Sequence, residues 1–181
     1  FGVNPDLAVF AKALGNGYAI SACIGTKDIM QSAESTFISS TFWTERIGPT
    51  AALKALEVME RNKSWELITE TGIDISNRWK NLAKKYNLSI NNFGIPALSG
   101  YSFNSSKAQE YKTLITQEML KNGFLASNCV YSCINHSSAI IDEYFSKLDP
   151  IFEKIKECED GRDVNTILDG PLCHTGFNRL N

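Results

Sequence analysis

A lysine closes an apolar run near the start of the chain. The run is Asp6-Leu7-Ala8-Val9-Phe10-Ala11-Lys12, and the turn Gly15-Asn16-Gly17 follows it. An ammonium group at the end of a buried strand is costly unless it is paired, reaches out to water, or is used chemically. A lysine held in a semi-buried pocket loses its proton readily. It can then act as an amine nucleophile, the group a Schiff base needs. Taken alone, a lysine after an apolar strand is more often a surface residue, so the case for chemistry depends on its neighbours.

The neighbours include a segment rich in hydroxyls and aromatics, Thr36 to Phe42. Its Ser40 and Thr41 hydroxyls could bond a ligand or only their own backbone. Trp43, Glu45 and Arg46 follow. Arg46 could hold a carboxylate through two parallel hydrogen bonds, but a solvated helix-start pair with Glu45 is the preferred reading. His136 reads as a capping or surface residue, and His174 has no assigned chemistry. Tyr101 and Phe103 read as core. Gly25-Thr26-Lys27 superficially resembles a phosphate loop but lacks the upstream glycine that such a loop needs. The five cysteines, Cys23, Cys129, Cys133, Cys158 and Cys173, form no CxxC pair. They support neither a zinc site nor a disulfide framework, and free thiols suit a reducing cytoplasm.

The elements that must position these residues fall into two groups. Leu7–Ala11 and Ala19–Gly25 read as strands buried on both faces, as in a parallel sheet covered by helices. A short helix follows Thr26. A longer one runs from about Thr44 to Arg61, with Ala52, Leu56 and Met59 on one face. The polar stretch Arg61–Ser64 is the best boundary. Ser64 is expected to cap a helix reaching Tyr86, along which Ile68, Gly72, Ile75, Trp79 and Leu82 form one apolar stripe. Beyond Asn87, residues 88–93 and 98–104 read as antiparallel strands. A capping box, Ser106 with Gln109, predicts a helix that ends at Asn122-Gly123. Residues 124–133 offer one or two short strands. Ser137 or Ser138 caps a helix bearing Ile141, Phe145 and Leu148. Asp149-Pro150 is expected to break it, with Asp149 capping a new helix that carries Phe152 and Ile155. Residues 161–181 show no clear periodicity. The order is an α/β unit and then a small α+β unit.

Composition narrows the class. The chain has 181 residues, 43% of them apolar, with a net charge of −2. With a pI of about 5.7 and no basic patch, nucleic acid is not an expected partner. No apolar stretch is long enough to span a membrane. The chain opens at Phe1 without a methionine and soon enters a strand, so further chain is expected upstream.

The stretch Gly2 to Tyr18 resembles the lysine motif of class III pyridoxal-phosphate aminotransferases, most of all the branch containing glutamate-1-semialdehyde aminomutase. Ser39-Ser40-Thr41-Phe42-Trp43-Thr44-Glu45-Arg46, continuing through Ala52, resembles the same family's threonine segment. The separation of 29 residues (41 − 12) and the order of the two motifs also match. The tail from Cys173 to Leu180 resembles the end of the family's small domain, so the likeness covers essentially the whole chain.

The resemblance implies the C-terminal part of a fold type I large domain over residues 1–63 and a small α+β domain over 64–181. It implies pyridoxal 5′-phosphate as cofactor and no metal. Lys12 matches the Schiff-base lysine, whose amine, once displaced, would carry a proton between substrate and cofactor. Gly15 and Gly17 would give the loop behind it a tight backbone. Thr41 matches the threonine that binds the cofactor phosphate of a neighbouring subunit, and Ser40 could add a contact. That implies a homodimer with shared sites, acting on an amino donor and a carbonyl acceptor. An aminomutase of the glutamate-1-semialdehyde type is the alternative, and a non-catalytic homologue a further one. In such enzymes the other cofactor-holding groups lie upstream of the lysine. The 181 residues alone are therefore expected to be inactive and to bind the cofactor poorly.

Overall fold

The computed structural model describes residues 2–174 and 176. It divides into two compact units, Phe1–Ser64 and Trp65–Asn181.

In the first unit, β1 (Leu7–Phe10) pairs with β2 (Ala22–Gly25), and the pairing is antiparallel, with Leu7 opposite Gly25 and Phe10 opposite Ala22. The expected parallel, doubly covered strands are not observed. The connection from Ala11 to Ser21 carries only a three-residue 3₁₀ turn, Lys12–Leu14. A parallel pair needs a crossover of a dozen or more residues, usually with a helix. Nor are the strands buried: Leu7, Val9, Phe10 and Ile24 are all exposed. An apolar run states a preference for cover; it does not supply the cover. The short helix α1 (Lys27–Ser32) follows, then α2 (Ile47–Asn62). On α2 the expected face is only partly buried. Ala52 is covered, while Leu56 and Met59 are exposed.

Helix α2 ends on Lys63, whose φ of 46° is left-handed, and α3 (Ser64–Lys85) starts at once. Ser64 is therefore the first helical residue, not a cap. The expected stripe on α3 holds: Gly72, Ile75, Trp79 and Leu82 are buried. At Gly72 an added Cβ would lie 1.7 Å from the Pro96 carbonyl oxygen, so only glycine lets the hairpin approach the helix.

That hairpin is β3 (Ile90–Ile95) with β4 (Leu98–Phe103); β5 (Cys129–Tyr131) adds to β4, giving an antiparallel sheet in the order β3-β4-β5. Helices α4 (Ala108–Lys121) and α5 (Ser138–Glu159) complete the second unit. Its core is aromatic. Trp79 and Tyr101 pack with ring centroids 4.7 Å apart, and Phe103 meets both Tyr111 and Phe152 at 5.4 Å. Burying each such side chain contributes about 1.5–3 kcal/mol.

Two expectations fail at helix ends. The capping box does not form, because Ser105, not Ser106, accepts from the Lys107 N–H at 3.1 Å. Gln109 points away and donates to the Cys173 carbonyl. Nor does the chain break at Pro150: α5 runs through it without interruption. Proline deletes one backbone bond there, but the residues on either side are anchored. Leu148, Ile151, Phe152 and Ile155 are fully or almost fully buried, and Asp149 accepts from Lys85 and Tyr86, each at 2.6 Å. Ser137 caps α5 as expected, accepting from Ile140 N–H at 3.4 Å.

The segment after α5, without periodicity of its own, is held by side chains spaced four apart on α4. Cys173 N–H donates to Thr113 Oγ1 at 3.1 Å. Gln117 donates to the Ile167 carbonyl at 3.0 Å and accepts from Asp169 N–H at 2.7 Å. Lys121 pairs with Asp169 at 2.7 Å. Of the tail motif, Thr175 and Phe177–Asn181 lie outside the described residues.

Candidate active site

Lys12 begins the 3₁₀ turn that follows β1, and its side chain is exposed. The burial argument made from the sequence therefore does not apply as stated. What singles out the residue is its backbone. Lys12 has φ 52°, a left-handed conformation that costs a non-glycine residue about 1–2 kcal/mol. The turn holds it there: Gly15 N–H and Asn16 N–H both donate to the Lys12 carbonyl at 3.1 Å.

Gly15 makes this closure possible. A Cβ at Gly15 would sit 2.1 Å from the Tyr18 carbonyl oxygen and 2.8 Å from Ile20 Cγ2. The next residues, Asn16 at φ 45° and Gly17 at φ 104°, are left-handed too. Lys12, Asn16 and Gly17 thus hold sparsely populated conformations around one carbonyl, which fixes the backbone of the turn that carries the lysine.

Ser40 and Thr41 lie in the turn before α2. Ser40 Oγ accepts from Phe42 N–H at 3.3 Å. Thr41 is exposed. Phe42 and Trp43 beside it are 55% and 68% exposed, large fractions for aromatics next to candidate ligand groups.

The expected pair of Glu45 with Arg46 is not observed among the described residues. Instead the Glu45 carboxylate caps α2, accepting from Ile47 N–H at 2.8 Å and Gly48 N–H at 3.2 Å, where the helix dipole favours negative charge. Arg46 lines an open cleft of about 380 Å³ with Tyr18, Ile47, Thr50, Ala51 and Lys54.

The two candidate turns share a support. Helix α2 packs beside the Lys12–Leu14 turn. A Cβ on Gly48 would lie 2.8 Å from the Ala19 carbonyl oxygen, so the loop behind Lys12 rests against the first turn of α2. Sequence reasoning missed Gly48 and the capping role of Glu45. The available signal was a carboxylate two residues ahead of a helix whose first turn contains Gly-Pro.

The sequence model of the family described as Aminotransferase class-III matches residues 1–158. The chain belongs to that family. Among its relatives, the 3-aminobutyryl-CoA aminotransferase of Cloacimonas acidaminovorans is 35% identical over 118 residues, covering 65% of this chain and 28% of that protein. The glutamate-1-semialdehyde 2,1-aminomutase of Methanococcus maripaludis is 24% identical over 172 residues, covering 86% of this chain and 40% of its own length. A solved structure of a Sphingopyxis sp. MTA144 protein in its PLP internal aldimine form matches with a TM-score of 0.80 at 19% identity, over 92% of this chain and 41% of that one. This class III chain thus has the fold of that part of a transaminase, and it spans well under half the length of these relatives. Among the described residues no cluster of His, Cys, Asp or Glu could hold a metal ion, and no helix is long and apolar enough to cross a membrane.

Proposed function

We propose that the protein is a pyridoxal-phosphate-dependent aminotransferase that moves an amino group from an amino acid to a carbonyl acceptor. The observation that carries this reading is the Lys12 turn in a class III chain: a primary amine, exposed, on a backbone held left-handed by two N–H groups. The donor set fits the cofactor, with an amine for its aldehyde and the Thr41 and Ser40 hydroxyls for its phosphate. Once bound, the cofactor supplies the electron sink for the reaction.

The chain's own residues have separate tasks. Lys12 Nζ holds the cofactor covalently and, when the amino donor displaces it, takes and returns a proton at Nζ. Thr41 Oγ1 and Ser40 Oγ hold the phosphate. By the family pattern Thr41 serves the neighbouring subunit, so the working unit is a homodimer. Residues 1–63 act as the C-terminal part of the cofactor-binding domain and 64–181 as the small domain, a reading supported by the two compact units. The five cysteines, free in the structure, support a reducing cytoplasm.

The test uses the full-length protein with an amino acid donor and a keto acid acceptor. Lys12→Ala is expected to lower turnover by about 10³-fold or more, the scale of removing a nucleophile that is also the acid–base group. Turnover within tenfold of the unmodified protein would exclude this role. The second reading, an intramolecular aminomutase, is favoured by the Methanococcus maripaludis relative. It predicts that no keto acid is released when the amino donor is supplied.

A further inference from the structure

A cavity of about 120 Å³ lies within the second unit, between α3, α5 and the segment leading into β5. Its walls are mainly apolar, among them Ile75, Phe124, Val130 and Ile141. No Lys, Arg, Asp or Glu lines it. Ile140, 44% exposed, stands at its rim beside His136.

Polar groups gather on one side of this cavity. Trp79 Nε1–H donates to Tyr144 Oη at 3.0 Å, which leaves the Tyr144 proton available to donate elsewhere. Tyr101 is completely buried, yet its hydroxyl has no hydrogen-bond partner. Tyr101 does not itself line the cavity, so the hydroxyl that a ligand there meets is that of Tyr144. A buried hydroxyl whose proton has no acceptor costs free energy that a ligand or water atom would recover. At the rim, His136 Nδ1 accepts from Cys133 N–H at 3.4 Å.

We infer that this cavity is a binding site for a small, neutral, monocyclic aromatic molecule with one hydroxyl, of the phenol class. The ring fills the apolar volume, while the hydroxyl meets the Tyr144 hydroxyl on its wall. An apolar cavity of about 150 Å³ is known to take benzene, and this slightly smaller one is open past Ile140. Charge excludes the obvious competitors. A carboxylate or ammonium would lose its hydration with no opposite charge to face. The site lies among groups to which the aminotransferase reading gives no part, so its test is independent of that reading.

The test is ligand-observed NMR and titration calorimetry on the full-length protein, with phenol, benzene and benzoate as probes. Phenol is expected to bind with a Kd on the order of 1 mM or tighter, and benzoate at least ~10-fold more weakly. Tyr144→Phe should weaken phenol by about 5-fold and leave benzene within about twofold. Ala126→Leu, which fills the cavity, should abolish both. Ile140→Phe, a filling change on the exposed rim, repeats that test if the first variant folds poorly. No phenol binding, equal binding of benzoate, or phenol binding that survives filling would each overturn the inference. So would an unchanged phenol affinity in Tyr144→Phe, which would mean that this hydroxyl takes no part in binding.

Discussion

Gly15 carries more of the candidate site than its size suggests. Its two close approaches, to Tyr18 and Ile20, leave no room for a methyl group. Gly15→Ala must open the turn and release the Lys12 carbonyl from its two N–H donors. The expected outcome is a loss of cofactor attachment of tenfold or more in the full-length protein, while α3 to α5 keep their near-ultraviolet circular dichroism. Wild-type cofactor content in that variant would show that the turn does not aim the lysine.

Glu118 contributes to the acid sensitivity of the second unit. Burial pushes the Glu118 carboxyl up, but hydrogen bonds from Lys121, Lys154 and Gln117 outweigh it and bring the carboxyl down to about 2, from 4.5. A group depressed in the folded state stabilises above its unfolded value, and that stability is lost as pH falls through the folded one. Between pH 4.5 and about 2 the chain should therefore lose roughly 1–3 kcal/mol at this site. Urea unfolding at pH 7 and pH 3 checks this: Glu118→Gln should be less stable at pH 7 and show a shallower acid decline.

Among the elements, α5 shows most clearly where sequence and structure part. A proline at position 150 predicts a break, since it lacks an N–H and crowds the preceding turn. The helix persists because its apolar face is continuous across the proline and the proline itself is exposed. Pro150→Ala restores one backbone bond and removes no buried surface. Thermal unfolding is expected to show a gain of about 1–2 kcal/mol, the helix penalty less the added freedom of the unfolded chain. A loss would mean that Pro150 is needed for the helix to curve.

The stripe on α3 was legible because it has a strong helical period and buries its face within its own unit, and the hairpin because two short apolar segments flank a turn at Pro96. Strands β1 and β2 were legible as strands but not in their pairing or cover, which depend on the length of the connection and on what lies against them. The capping box failed because Gln109 had a better partner in Cys173, remote in sequence and therefore invisible to a local rule.

At the scale of the molecule, the two units differ in how they hold together. The second has a closed aromatic core. The first buries little beyond Gly15, Gly48 and Ala52 among its described residues, yet it holds Lys12, Ser40 and Thr41. The sequence marked these three through paired motifs in the family's order, which a local physical reading of each alone would have left as surface residues. It missed Gly48, because close approach between segments distant in sequence leaves no periodic trace. On the proposed reading the chemistry is carried by a unit with little core of its own, and its turn geometry rests on two glycines and one cap.

The central claim is that Lys12 is the residue that holds the cofactor. The direct measurement is borohydride reduction of the full-length protein with pyridoxal phosphate, followed by peptide mapping by mass spectrometry. The account predicts a phosphopyridoxyl group on the peptide containing Lys12 and no such adduct in Lys12→Ala. Modification spread over surface lysines, or an undiminished adduct in Lys12→Ala, would contradict it.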